Sequence, residues 1–447
     1  MTETITIEEI MAQPPFKVVE YFKSRRASRD LKKYIDQYDA NSHAIHDTLQ
    51  RPNKIVKVDD DITKSVPVAR LSVPFQKLIV DRAAAFLIGE GVKIIADPAS
   101  DAEQQLLEAV KKAWHDNKCD YKTRQMARTW MSETEVAEYW YVQKKGKEQR
   151  LRMQVWSHSA SDHMYPYFDE YGDMVAFARG YTIGRNEYMD VWTADRIYNY
   201  ESEGGLWQLT KDEPNLLNKI PVIYYTRDDV EWEDVQPLIE RFEKMISDYA
   251  DANDYFSSPL VFVQGEITGF AEKGEQGKMI TGTEGSDVRY ITWDQAPEAI
   301  KLEKETLQEL IFSMTQTPDI SFQQMKGLGA SVSGIALRLM FMDASLKTLR
   351  HQEEFGEGIQ RRINLMQHMI KVIEPGLAQD MSMEPEFTFY MPGNDEELIR
   401  MLVTATGGRA ILSRKTAIEN NPFVMNAQRE QEDVMADEAG DFGNIVP

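Results

Sequence analysis

One stretch of the sequence approaches phosphate chemistry: Gly274-Glu-Gln-Gly277-Lys278-Met279. A phosphate loop needs a first glycine for its turn, a Gly-Lys pair to cradle the phosphates, and a following hydroxyl for magnesium. Glu272 stands where the first glycine belongs and Met279 where the hydroxyl belongs, so the spacing excludes a P-loop motor. His43 and His46 lie three apart in a helical stretch, and His158 and His163 lie on either side of Asp162. Metal sites use such spacings, but they need a denser Cys/His cluster than this sequence offers. Neither Gly-x-Ser-x-Gly nor His-Glu-x-x-His occurs. Among 73 acidic residues any carboxylate pair carries little information. Asp162, Asp169 and Asp173 are the candidate set for a hydrolase, which would need a pocket of perturbed acids. The residues do not read as an enzyme, and they call for no cofactor and no metal.

The chain has 447 residues, enough for two or three domains and a full-sized core. Its 51 basic and 73 acidic residues give a net charge of −22. An acidic protein repels nucleic acid, so any DNA contact is expected to be loose. The single cysteine, Cys119, excludes an internal disulfide and fits a reducing cytosol. The opening Met-Thr-Glu-Thr-Ile lacks the regions of a secretion signal. No apolar run approaches the roughly 20 residues that span a bilayer. A soluble protein made inside the cell, with no membrane partner, is expected. Lys23, Arg25, Arg26, Arg29, Lys32 and Lys33 form a local basic cluster, for which a solvated helix face is favoured over a binding patch.

The elements are organised around Ser331–Glu374, which reads as one long helix entered through a glycine-rich loop. Apolar residues recur every three or four positions from Ile335 to Ile370, and no proline interrupts them before Pro375. About forty residues at 1.5 Å each make a rod of roughly 60 Å. Gly356 and Gly358 weaken its middle and permit a kink there. Upstream, residues 6–50 read as helical, and a buried helix is expected over Val66 to Lys93, closed by Gly89 and followed by a strand at Val92–Ile95. Asp101–Asn117 and Tyr121–Ser132 are further helices. From Thr134 the period changes to two, predicting strands at Val136–Gln143, Arg150–Ser157, Met174–Ile183, Tyr188–Thr193, Arg196–Glu201, Trp207–Lys211 and Pro221–Thr226. Two helices, Asp234 to Phe256 and Pro297–Thr317, then enclose short strands, a hairpin-like stem with a knob at its tip. Beyond the rod come a strand at Glu386–Met391, helices at Asp395–Thr406 and Arg414–Asn420, and an acidic tail expected to fray.

From about Val66 to Asp433 this order resembles the portal proteins of long-tailed bacteriophages. Phe86-Leu-Ile-Gly89-Glu-Gly-Val-Lys-Ile is similar to the family's wing helix and following strand. Ile220-Pro-Val-Ile-Tyr-Tyr-Thr-Arg-Asp-Asp, then Asp234-Val-Gln-Pro-Leu-Ile, is similar to its lead into the first stem helix. Ser333-Gly-Ile-Ala336-Leu is similar to the start of its long channel-side helix, and Ile411-Leu-Ser-Arg-Lys-Thr-Ala-Ile-Glu-Asn-Asn-Pro-Phe-Val to its C-terminal helix-turn element.

The resemblance implies an α+β portal fold in seven parts. These are an arm and α+β wing (residues 1–228), a first stem helix (229–258), a small α/β clip (259–296), a second stem helix (297–318) and a tunnel loop (319–332). A long kinked helix with a return strand of the wing (333–392) and a helical crown with an acidic tail (393–447) complete it. It implies a homo-oligomeric ring, typically of twelve subunits, at one capsid vertex of the virion, made in the host cytoplasm. Double-stranded DNA would pass through it loosely and without sequence specificity during packaging and ejection.

Tunnel-loop residues Gln323, Gln324, Lys326, Gly327, Leu328, Gly329 and Ser331 are the expected DNA contacts, with Lys326 offering one positive charge per subunit. Glu298, Glu303, Glu305 and Glu309 of the second stem helix are expected to form an acidic channel wall. Clip residues Glu266, Glu272, Lys273, Glu275 and Lys278 are expected to dock the terminase large subunit and later a neck or adaptor protein. Scaffold and major capsid protein would contact the wing. The rival to this reading is an oligomeric helical scaffold inside the cell that never touches DNA; a hydrolase in the wing is the more distant one.

Overall fold

The computed structural model describes residues 6–25, 29–59, 62–89, 91–146, 148–256, 260–264, 267–269, 281–282, 287–291, 296–319, 339–377, 381–387, 395–407, 410–421, 423–424 and 427–442. These divide into two units, one of residues 1–317 with 347–389 and one of 318–346 with 390–447.

The first unit opens with three short helices, α1 (Ile7–Met11), α2 (Pro15–Ser24) and α3 (Leu31–Tyr38). Thr6 and Glu9 cap α1 reciprocally, satisfying N–H groups that a helix start leaves open. A hairpin of β1 (Lys54–Asp59) and β2 (Ile62–Val66) follows, then α4 (Phe75–Ile88) and β3 (Val92–Ile95). The helix expected from Val66 thus begins only at Phe75. Pro67 and Pro74 account for the difference, because the residue before a proline is pushed out of the helical region. Ser100 caps α5 (Asp101–Asp116), and α6 (Cys119–Glu133) runs straight into the sheets.

The strands are β4 (Glu135–Lys145), β5 (Glu148–Trp156), β6 (His163–Phe168), β7 (Met174–Ile183), β8 (Asn186–Thr193), β9 (Arg196–Glu203), β10 (Leu206–Pro214) and β11 (Val222–Thr226). They form an antiparallel sheet ordered β10-β9-β8-β7-β6 and a smaller one ordered β11-β4-β5. Between them lies an aromatic layer in which Trp156 stacks on Tyr139 at 4.9 Å and lies 5.3 Å from Trp192. Strand β6 was not expected from the sequence. It carries Pro166, which a sheet tolerates on an edge strand, and β6 is an edge.

The two helices expected as the stem, and called so below, are α7 (Gln236–Phe256) and α8 (Ala296–Met314). Short strands lie between them, β12 (Leu260–Gln264) pairing with β15 (Asp287–Ile291) and β13 (Ile267–Gly269) with β14 (Thr281–Gly282). The long helix spans Met342–Ile373, and β16 (Glu384–Phe387) returns to pair with β3 in the register Glu384↔Ile95 to Phe387↔Val92. One continuous core joins α4, α6 and α7 to the long helix through Phe75, Trp130, Phe242, Phe355, Ile359 and Ile363.

Gly356 and Gly358 lie inside the long helix, which is assigned without a break. Close packing explains both glycines. A Cβ at Gly358 would lie 2.0 Å from Tyr225 Cε1, and one at Gly356 would lie 3.2 Å from Phe387 Cε2.

The second unit contains helices Asp395–Thr406, Arg414–Glu419 and Ala427–Phe442. The last replaces the expected frayed tail. Its Ala, Glu, Gln, Arg and Met content favours helix despite the acidic charge.

Candidate functional site

The loop residues Gln323, Gln324, Lys326, Gly327, Leu328, Gly329 and Ser331 lie outside the described residues. So do Glu266, Glu272, Lys273, Glu275 and Lys278 of the insertion, and Ser333, Gly334 and Ala336 of the long helix's expected start. The structure describes the stem that carries them and the joint on which both stem helices rest.

On α8, Leu307 and Ile311 are buried one turn apart, facing the core. Glu298, Glu305 and Glu309 are exposed, and with Leu302 their spacing of three and four residues puts them on the opposite face. Glu305 lies 3.9 Å from Lys301 one turn before it. Glu303 differs from the other three. It accepts from Arg241 of α7 at 2.8 and 2.6 Å, clipping the two stem helices together. Both partners are largely solvated, so the bond contributes at most about 1 kcal/mol, and the apolar contacts do most of the joining.

Where the stem meets the wing, a buried ionic joint collects three elements. Glu231 sits five residues before α7. It accepts from Arg227 at 2.5 Å, from Lys347 at 2.5 Å and from His351 at 3.2 Å, the last two on the long helix. Lys347 Nζ also donates to the Thr315 carbonyl at 2.6 Å, just past the end of α8. The lead into one stem helix, the exit from the other and the long helix thus share one ammonium–carboxylate pair. Burial opposes ionisation of Glu231, but the His351 hydrogen bond and the Lys347, His351 and Arg227 charges outweigh it, holding the carboxyl well below the usual range. Burial lowers Lys347 below an ordinary lysine, with Glu231 pulling the other way.

One and a half heptads along, Arg362 is fully buried among Phe355, Ile359 and Met366. Its Nε and Nη2 donate to Glu138 of β4 at 2.8 Å each, its Nη1 to Thr123 Oγ1 at 2.6 Å, and the Tyr225 hydroxyl donates to Glu138 at 3.1 Å. Burial works against the guanidinium charge, and Glu138 overrides it and raises Arg362 above its ordinary value. Neither cluster was anticipated from the sequence. The available signal was Arg362 itself, a charge set at helical spacing inside an apolar stripe.

The other candidates are taken up locally. His43 Nδ1 meets Glu243 Oε1 at 2.6 Å in the core, and Glu243 also accepts from the Val73 N–H at 2.7 Å. His46 lies 3.1 Å from Ser72 Oγ, and His158 is bonded to Glu135. Asp162 accepts from Arg179 at 2.7 Å, while Asp169 accepts from the N–H groups of Tyr171 and Asp173 in a surface turn. Of the basic cluster, Lys23 pairs with Glu187 at 3.0 Å, Lys33 with Glu233 at 2.8 Å, and Arg29 donates to Thr226 Oγ1 at 2.8 Å. Arg25 covers the Tyr21 ring at 5.0 Å, and Arg26 lies outside the described residues. Among the described residues, no group of three or more His, Cys, Asp or Glu is placed to hold a metal ion. No described helix is long and apolar enough to cross a membrane. Cys119 is buried, which pushes its thiol up to about 12.

The described residues thus form a helix pair carrying inserted strands, α7 and α8, and a long helix tied to the sheets and to both of those helices by buried ion pairs. The chain belongs to the phage portal protein family of the SPP1 Gp6-like type, whose model matches residues 18–441. It is 22% identical over 458 residues to the portal protein of Bacillus phage SPP1, covering 95% of this chain and 83% of that one. Its fold is similar to a chain in the neck of an empty gene transfer agent particle, with a TM-score of 0.44, 12% identity, and 76% and 86% of the two chains covered. A chain in the virion of a native gene transfer agent particle gives a TM-score of 0.43 at 13% identity, with 76% and 86% covered.

Proposed function

We propose that copies of this portal protein close a ring, of twelve subunits by resemblance to its family, at one vertex of the capsid. Double-stranded DNA passes through its hole during packaging and ejection. The observation that carries this reading is the family match over residues 18–441, which includes both stem helices and the segment leading to the long helix. The stem supports it by its charge. Lys and Arg contacts to phosphate are what hold DNA to proteins, and a conduit must not hold it. A ring with Glu298, Glu305 and Glu309 turned inward repels phosphate along its wall. Glu303 is spent on Arg241 and contributes least to that field.

In this reading the loop of Gln323, Gln324, Lys326, Gly327, Leu328, Gly329 and Ser331 meets the DNA, and Lys326 supplies the positive charge at the constriction. The insertion carrying Glu266, Glu272, Lys273, Glu275 and Lys278 docks the terminase and later the neck protein, while scaffold and capsid protein bind the wing. Lys326→Glu is therefore expected to lower the DNA packaged per particle while rings still assemble. The check is a nuclease-protection packaging assay beside electron microscopy of the variant. Normal packaging by Lys326→Glu would remove that lysine from the mechanism.

A further inference from the structure

The first stem helix holds an extended segment by its side chains. Ala69, Leu71 and Val73 donate their N–H groups to Asp251, Ser247 and Glu243 of α7 at 2.8, 2.9 and 2.7 Å. The spacing explains the match. Acceptors four residues apart on a helix rise about 6.0 Å, and alternate residues of an extended chain advance about 6.6 Å. Arg51 locks the far end, donating to Asp248 and Asp251 at 2.7 and 2.9 Å and to the Ala69 carbonyl at 2.8 Å. Arg70 in turn donates to the Arg51 carbonyl at 2.7 Å and to Asn53 at 2.9 Å, and Lys54 lies 3.8 Å from Asp251.

Polar bonds rather than apolar packing hold this segment down. None of the described residues from Asp47 to Pro74 is buried, whereas Ile45 before them and Phe75 after them are. Val73 packs partly against the core, where the chain turns into α4, and Ser72 Oγ lies 3.1 Å from His46. Beneath the segment, Ser247 is 0% and Glu243 1% exposed. They lie where the apolar face of α7 gives out. Past Met245 the described residues of that helix bury no apolar side chain.

Regions with few buried apolar contacts open locally while the rest of a protein stays folded. Lifting this segment breaks polar bonds whose groups water then satisfies, so it costs far less than opening the core. Arg51 reaches the helix and the returning leg together, so one side chain decides whether the segment stays down. We propose that Arg51, Asn53 and Ala69–Val73 form a latch on the first stem helix, which opens as one unit while the core stays folded. Closed, it ties the half of α7 that lacks a buried apolar face to the chain entering α4. Open, it frees that half of the helix and uncovers Glu243, Ser247 and Asp251. The latch works within one chain and needs no ring.

Thiol labelling reads the opening directly. Ser247→Cys puts a thiol beneath the latch in a chain whose own cysteine, Cys119, is buried in the core. In the full-length protein under native conditions, a maleimide is expected to modify the new thiol while Cys119 stays unmodified until denaturant unfolds the chain. Adding Arg51→Ala is expected to speed labelling at position 247 about tenfold or more, as the loss of charge-assisted bonds implies, with Cys119 as slow as before. Asp248→Asn, at an exposed carboxylate bonded to Arg51, is expected to act in the same direction and more weakly. It carries the test if Arg51→Ala does not fold. Labelling at position 247 no faster than at Cys119 would mean that the segment opens only with the core, and would overturn the proposal. Equal acceleration at both positions, or acceleration by neither substitution, would overturn it as well.

Discussion

At the scale of single residues, the long helix shows how packing overrides propensity. Glycine in a helix interior costs roughly 1 kcal/mol relative to alanine, so Gly358→Ala looks stabilising on the sequence alone. The Tyr225 ring 2.0 Å from the would-be Cβ reverses that sign. Tyr225 cannot easily withdraw, because its hydroxyl donates to Glu138 in the buried Arg362 cluster. Gly358→Ala is expected to destabilise the protein by about 1–3 kcal/mol, as overpacking does, measured by the denaturant midpoint. An unchanged or higher midpoint would show that the ring gives way freely. The same residues mark a limit of sequence reading. Two glycines near the middle of a rod permit a kink, a close approach or both, and the close approach is visible only once Tyr225 is placed beside Gly358. Arg362 is the complementary case, a buried charge whose partner Glu138 lies far away in sequence.

At the scale of elements, the joint around Glu231 decides how the stem is held. Replacing Glu231 by Gln leaves Lys347 and Arg227 buried beside a neutral group, and breaking a buried pair in this way costs about 3–5 kcal/mol. The pH dependence has a definite sign. The folded-state pKa of Glu231 lies well below the ordinary 4.5, so its contribution is fully present above 4.5 and is lost as pH falls from there towards the folded value. The stability gap between the parent and Glu231→Gln should therefore narrow on acidification below 4.5, read by unfolding curves at a series of pH values. A gap constant with pH would mean that the carboxylate charge does not hold the joint.

The helices and most of the wing strands were legible because their periods are clean, as in α7, where Ile239, Phe242 and Met245 mark the buried face. The β1–β2 hairpin was not, since its short strands mix lysines with valines and rest on no core of their own. The joint was illegible for another reason. Arg227 and Glu231 are one turn apart in number, but they become a site only when Lys347 and His351 arrive on a helix more than a hundred residues later.

At the scale of the whole molecule, the central claim is that these copies close around a hole. The channel wall and the DNA-contacting loop proposed above act together only in a ring. The sequence carried this far because the order of elements, rather than any one motif, identifies the family. No motif could fix which residues face the channel, since that depends on the angle between neighbouring copies. The most direct measurement is electron microscopy of the purified protein viewed down the particle axis, repeated with capsid partners if particles are absent. The account predicts closed rings with a central hole. Filaments or compact dimers under both conditions would contradict it and favour a helical scaffold without a DNA conduit.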